Sequence, residues 1–176
     1  MKLPRIPWRT LTSGRALPWV LAVVFLGTTL ANWWLLHDDR RDDARTAAVT
    51  STAGAFVHAF TNYHAETITQ DVARIESYAI GDFASQLRTT FDKNAIDRIR
   101  TNKVSATGTT WNLALHDLGE GTAHVRSIVY ETVATSGAPA TTDVFQLDIE
   151  LVRSGDAWKV DSVNANILQR PATTSG

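Results

Sequence analysis

The chain reads as α+β: an N-terminal transmembrane helix, then an exported domain in which three helices precede a curved four-stranded antiparallel sheet. Three observations predict this. Residues 16–36 run for 21 positions without a formal charge. Between Val49 and Ile99 apolar residues recur every three or four positions. After about Lys103 the period falls to two, and Val, Ile, Thr and aromatic residues replace Ala and Arg.

The uncharged run, ALPWVLAVVFLGTTLANWWLL, makes a helix roughly 30 Å long, about the hydrocarbon thickness of a bilayer. Trp19 near one end and Trp33 with Trp34 near the other suit the two headgroup boundaries. Pro18 falls in the first turn, where a helix tolerates it. Residues 1–15 hold Lys2, Arg5, Arg9 and Arg15 with no acid, whereas His37 to Arg45 mixes four Asp with three Arg. The positive-inside rule therefore puts the N-terminus in the cytoplasm and the larger C-terminal part outside, as a single-pass plasma-membrane protein. Thr29-Leu30-Ala31 offers a small-x-small cleavage site, but the apolar core is long for a signal peptide and the cut would leave Trp33 and Trp34 just past it. An uncleaved anchor is the expectation.

The composition narrows the function classes. Seventeen basic against eighteen acidic residues give a net charge of −1, so no nucleic-acid partner is expected. With no cysteine the chain is not a disulfide scaffold, a thiol enzyme, a Cys-ligated zinc or iron–sulfur protein, or a lipoprotein acylated on Cys. Once span and flanks are set aside, the remainder suffices for one small domain. The expected organisation is a basic cytoplasmic segment (1–15), a transmembrane helix (16–36), a helical stalk (37–48), an extracytoplasmic domain (49–168) and a flexible polar tail (169–176).

The stalk contains neither Gly nor Pro, so the membrane helix can run on through its Asp and Arg residues. Val49, Ala53, Phe56, Phe60 and Tyr63 then form one apolar stripe of the first domain helix. Thr67 followed by Gln70 resembles a capping box opening a second, short helix with Ile68, Val72, Ile75 and Ala79 on one face. Gly81 suits a left-handed stop and Asp82 a new cap. Phe83, Leu87, Phe91, Ala95 and Ile99 form the stripe of a third helix.

Four strands follow: Val104 to Leu115, Thr122 to Thr135, Thr142 to Arg153 and Ala157 to Asn166, joined by turns at 118–121, 136–139 and 154–156. The third alternates most clearly. Phe145, Leu147, Ile149 and Leu151 share one face, sending Val144, Gln146, Asp148 and Glu150 to the other. Helices covering one face of such a curved sheet can form a cone with a hollow interior.

Candidate chemistry is sparse. His64 with Tyr63 has the makings of a base and a phenol donor, with His58 and Glu66 nearby, but a core tyrosine and a rim histidine are expected because nothing fixes a third partner. Asp71 with Arg74 reads as a structural ion pair. His116 and His124 flank the first hairpin and lack the further ligands zinc takes, so no metal is expected. Trp111 and Tyr130 are expected in the core; exposed, they would mark a contact surface. An inward Asp148 or Glu150 would favour an enzyme. No phosphate loop, nucleophile elbow or His-Glu-x-x-His occurs, and no catalytic, cofactor-binding or metal-binding residue and no cofactor is assigned.

The order of elements, the hairpin from Leu151 through Ser154-Gly155-Asp156 to Trp158-Lys159-Val160, and Asp71-Val72-Ala73-Arg74-Ile75 with Gly81-Asp82-Phe83 resemble the Mce-associated membrane proteins of actinobacteria. The resemblance covers nearly the whole chain and includes a domain similar to nuclear transport factor 2 and SnoaL. Trp158-Lys159-Val160 after a Gly-containing turn recurs across that superfamily and speaks to fold more than to function. The resemblance implies a noncatalytic, membrane-anchored accessory protein that stabilises or docks onto an Mce-type lipid or sterol transport complex. Its partners would be Mce transporter subunits or related Mce-associated proteins, and membrane lipid; a homo-oligomer stays open. The alternative is a type IV secretion or conjugation component, since those machines also use one membrane helix followed by a similar cone domain. A pocket-containing enzyme or a lipid-binding module completes the set.

Overall fold

A computed structural model describes residues 42–169. The expected basic segment, the membrane span, the stalk up to residue 41 and the tail from residue 170 lie outside the described residues. Among the described residues no helix is long and apolar enough to cross a membrane. Among the described residues, 45–169 form one compact unit.

Helix α1 runs through residues 42–61 and buries Val49, Ala53, Phe56, Val57 and Ala59. Its end is set by Asn62, whose side-chain amide pairs with the backbone of Gly108 in both senses: Gly108 N–H donates to Oδ1 at 3.1 Å, and Nδ2 donates to the Gly108 carbonyl at 3.2 Å. A side chain thus stands in for a strand neighbour and turns the chain out of the helix. Tyr63 then bridges Ala106 through two backbone hydrogen bonds of 3.2 and 2.9 Å.

Helix α2 (Ile68–Tyr78) opens without the expected capping box. The Thr67 hydroxyl makes no cap bond and instead donates to Asp71 Oδ2 at 2.7 Å. Gly81 has the left-handed conformation expected of it (φ +62°), but it begins helix α3 (Gly81–Thr90), and Asp82 lies in that helix's first turn without capping it.

The third expected helix is two. Helix α3 stops at Thr90, and α4 (Lys93–Thr101) starts afresh because the Asp92 carboxylate accepts the Ala95 N–H at 2.7 Å, a local N-cap that resets the chain direction. Phe83 and Leu87 of the apolar stripe are buried, whereas no residue of α4 is. The described residues therefore hold four helices.

Strands β1 (Ser105–Leu118), β2 (Thr122–Thr135), β3 (Ala138–Ser154) and β4 (Ala157–Gln169) form one antiparallel meander in the order β1-β2-β3-β4. Strands β1, β3 and β4 run longer than the sequence pattern suggests. Pro139 lies inside β3 rather than in the turn; there the strand has no β4 neighbour, so the missing N–H interrupts no ladder on that side.

One face of the sheet carries the core. Ala123, Val125, Ser127 and Val129 of β2, Leu147, Ile149 and Leu151 of β3, and Trp158 and Val160 of β4 are buried with Phe56, Ile75 and Phe83 of the helices. Phe56 is central: its ring stacks on Phe60 at 5.5 Å and meets Tyr78 and Phe83 edge-on at 6.3 and 6.0 Å. The alternation read on the third strand is the observed one, with Phe145 half-buried at its outer end.

Candidate functional site

The helices cover one face of the sheet, so the other face carries the polar alternates. Along β1 the sequence places Trp111, Leu113 and Leu115 in one phase, which predicts a shared core face. A bulge between Thr110 and Asn112 breaks that phase. Beyond it Leu113 pairs with Ser127 and Leu115 with Val125, both inward, while the Trp111 ring meets Tyr130 of β2 on the outer face. The two centroids are 6.5 Å apart at 83°, an edge-to-face contact. The bulge is held from below: the fully buried Ser127 hydroxyl donates to the Asn112 carbonyl at 3.0 Å.

Trp111 is 68% exposed and Tyr130 44% exposed. The expectation that they belong to the core is corrected. Tyr130 follows the buried Val129 and so must point away from it, and the bulge leaves Trp111 beside Tyr130 while turning the leucines inward.

Farther along the same face, Arg126 and Asp148 stand directly opposite each other in the β2–β3 register, with Nε to Oδ1 at 2.7 Å. Gln146 donates to the second carboxylate oxygen of Asp148 at 2.9 Å. These two hydrogen bonds, Arg126 first, hold the Asp148 carboxyl below the usual carboxylate range, with His116 adding to the effect. Glu150 accepts from Ser162 at 3.2 Å. His116 and His124 both border this region: with Arg126, Asp148, Glu150 and Ser162 they line an open cavity of about 320 Å³. Among the described residues no group of three or more His, Cys, Asp or Glu side chains is arranged to hold a metal ion. Asp148 and Glu150 therefore face outward, opposite the buried Leu147, Ile149 and Leu151.

The helical candidates separate. Asp71 is 5% exposed and ties the α1–α2 turn together, accepting from the His64 backbone N–H at 3.1 Å and the Thr67 hydroxyl at 2.7 Å, with Arg74 at 3.5 Å. That set is structural. His58, His64 and Glu66 are exposed, and His64 contributes its backbone rather than its imidazole to the turn.

An acid does point to the helix-covered side, and it is one the sequence reading passed over. Glu131 is two residues beyond Val129 and stands directly opposite Asp143, itself in phase with Phe145. Burial, and then the Asp143 charge, push the Glu131 carboxyl up. The Tyr63 phenol is pushed up by burial and then by Glu131. The signal was legible in principle, since the Val125–Ser127–Val129 phase continues into Glu131 without a break.

No protein-family profile matches the chain, and no curated protein matches it. Solved structures do. The VirB8 protein of Agrobacterium tumefaciens superposes with a TM-score of 0.56 at 12% identity, over 70% of this chain and 92% of that one. An IcmL-like type IV secretion system protein of Legionella pneumophila gives 0.55 at 13% identity, over 71% and 94%. A scytalone dehydratase-like protein of Novosphingobium aromaticivorans gives 0.52 at 13% identity, over 73% and 87%. The fold is that of nuclear transport factor 2 and SnoaL. Structures named for secretion proteins and one named for a dehydratase share this fold, so the function of this chain has to be argued from its own surfaces.

Proposed function

We propose that this chain is a noncatalytic, membrane-tethered component of a cell-envelope assembly, of the type IV secretion or conjugation kind, and that it docks through the outer face of its sheet around Trp111 and Tyr130. The observation that carries the reading is that aromatic pair, a large apolar contact left in solvent on a face no described helix covers. Aromatic residues with polar neighbours are the side chains that dominate protein interfaces, and Arg126, Asp148 and Gln146 supply such a rim. The similarity to VirB8 and to the IcmL-like protein supports a secretion-type assembly over the Mce accessory role. The uncharged run 16–36 supplies the tether, which concentrates the domain beside an integral partner.

The Mce-type lipid transport complex is the second reading, favoured by the resemblance of Asp71 to Ile75 and of the Leu151 to Val160 hairpin. One experiment separates the two: crosslinking of the full-length protein in its membrane, affinity capture and mass spectrometry. Secretion subunits captured by the native chain and lost from a Trp111→Ala variant support the proposal. Mce subunits or their permease in their place select the second reading, and capture of neither rejects both.

A further inference from the structure

The acid pair on the helix-covered side stands at the base of a hairpin end whose two strands are held unequally. Glu131 of β2 and Asp143 of β3 are directly opposed, and both are half-buried. Toward the turn follow Thr132 with Thr142, whose hydroxyls are 2.9 Å apart, and Val133 with Thr141, then an irregularity before Thr135 meets Ala138. The β2 side is anchored: Thr132, Val133 and Ala134 also pair with Thr107, Ala106 and Ser105 of β1, and the Ser136 N–H donates to the Asn102 carbonyl at 3.0 Å. The β3 side is not held in the same way. Among the described residues, Ala138 to Asp143 pair with β2 alone, since β4 is described as far as Gln169, opposite Val144. Residues 136–141 are all exposed. A segment in solvent and paired on one side belongs to the low-stability end of a sheet.

Two carboxylates directly opposite each other in an antiparallel pair repel when both are ionised, and one proton between them removes the repulsion. The groups facing Glu131 are Asp143 from β3, Gly108 from β1 and, within electrostatic reach, the Tyr63 phenol from the turn after α1. Of these the one that is charged at neutral pH is Asp143. The upward displacement of both Glu131 and Tyr63 agrees with a site that favours the protonated forms.

We propose that Glu131 and Asp143 form a proton-linked latch: a proton held between them keeps the first residues of β3, Ala138 to Asp143, on β2, and its loss lets that segment come away while β2 stays on β1. The latch does not rest on the docking role proposed above. It reaches the same region, however, because the next pair inward is Tyr130 with Val144. The closed form holds the proton more tightly than the open form, in which Glu131 returns towards its ordinary value. Closure is therefore complete below pH 4.5 and weakens as pH rises through the raised value.

The test is hydrogen–deuterium exchange with mass spectrometry on the full-length chain in detergent, below pH 4.5 and at neutral pH, with protection corrected for the intrinsic pH dependence of exchange. In the native chain, residues 138–143 are expected to lose protection several-fold at neutral pH, up to about tenfold for each unit by which closure raises the Glu131 pKa. Residues 147–151 in the core of the same strand are expected to keep theirs. Glu131→Gln, neutral at both pH values, should hold the 138–143 segment equally protected at each. Asp143→Asn removes the repulsion but leaves the burial, so it should shrink the change. Protection of 138–143 that does not vary with pH, a change that persists in full in either variant, or a loss shared equally by 147–151 would overturn the proposal.

Discussion

Truncating Trp111 to Ala separates the interface reading from a packing role, because the two differ in the ratio of stability lost to binding lost. With 68% of the residue exposed, about a third of its surface is covered. At ~25 cal/mol per Å² and up to about 250 Å² for a whole Trp, that share amounts to at most ~2 kcal/mol of folding stability. The edge-on contact with Tyr130 overlaps that figure, so ~1–2 kcal/mol is the expected destabilisation. Phe56→Ala, by contrast, empties the centre of the core and is expected to cost ~3–5 kcal/mol.

If Trp111 anchors a partner, its removal costs binding on the scale of interface hot spots, ~2 kcal/mol or more, roughly a thirtyfold loss of affinity. The assay pairs urea denaturation of the purified full-length chain with quantitative capture from crosslinked membranes, for Trp111→Ala, Tyr130→Ala and Phe56→Ala. Small stability losses with strong loss of capture are expected for the first two. A stability loss at Trp111 equal to that at Phe56, or unchanged capture in both surface variants, would refute the reasoning.

Three further outcomes are expected. A Cβ on Gly108 would overlap the Thr61 side chain, whose hydroxyl is held by the Val57 carbonyl at 2.8 Å, so Gly108→Ala should destabilise by ~1–3 kcal/mol and Thr61→Gly in the same background should recover part of it, as read by urea denaturation. Asp71→Ala strands the His64 N–H and the Thr67 hydroxyl beside α2 and should cost ~2–3 kcal/mol, with Asp71→Asn costing less because it keeps an acceptor. The raised pKa of Glu131 means the folded chain holds that proton more tightly than the unfolded chain does, so ionisation costs stability above the raised value and the cost vanishes below the ordinary 4.5. Glu131→Gln should therefore be more stable than the native chain near neutral pH, with the difference closing towards pH 4.5 in paired denaturation curves.

Local chemistry made most of the architecture legible before the structure. The change from a helical period to a period of two near Lys103 locates the start of the sheet, and β2 occupies the bounds its alternation predicts. What escaped depends on single backbone events. The bulge at Trp111 shifts one strand by one residue, and since side chains alternate strictly along a strand, that shift separates an aromatic from two leucines that share its phase. The Asp92 cap breaks a stripe that is continuous in apolar residues, because periodicity records which side is buried and not where the axis turns. The Thr67 hydroxyl chose a nearby carboxylate over the backbone, a competition the Thr-x-x-Gln spacing alone does not decide. Glu131 lies just past the last fully buried residue of β2, Val129, where an acid in the core phase reads as the strand leaving the core.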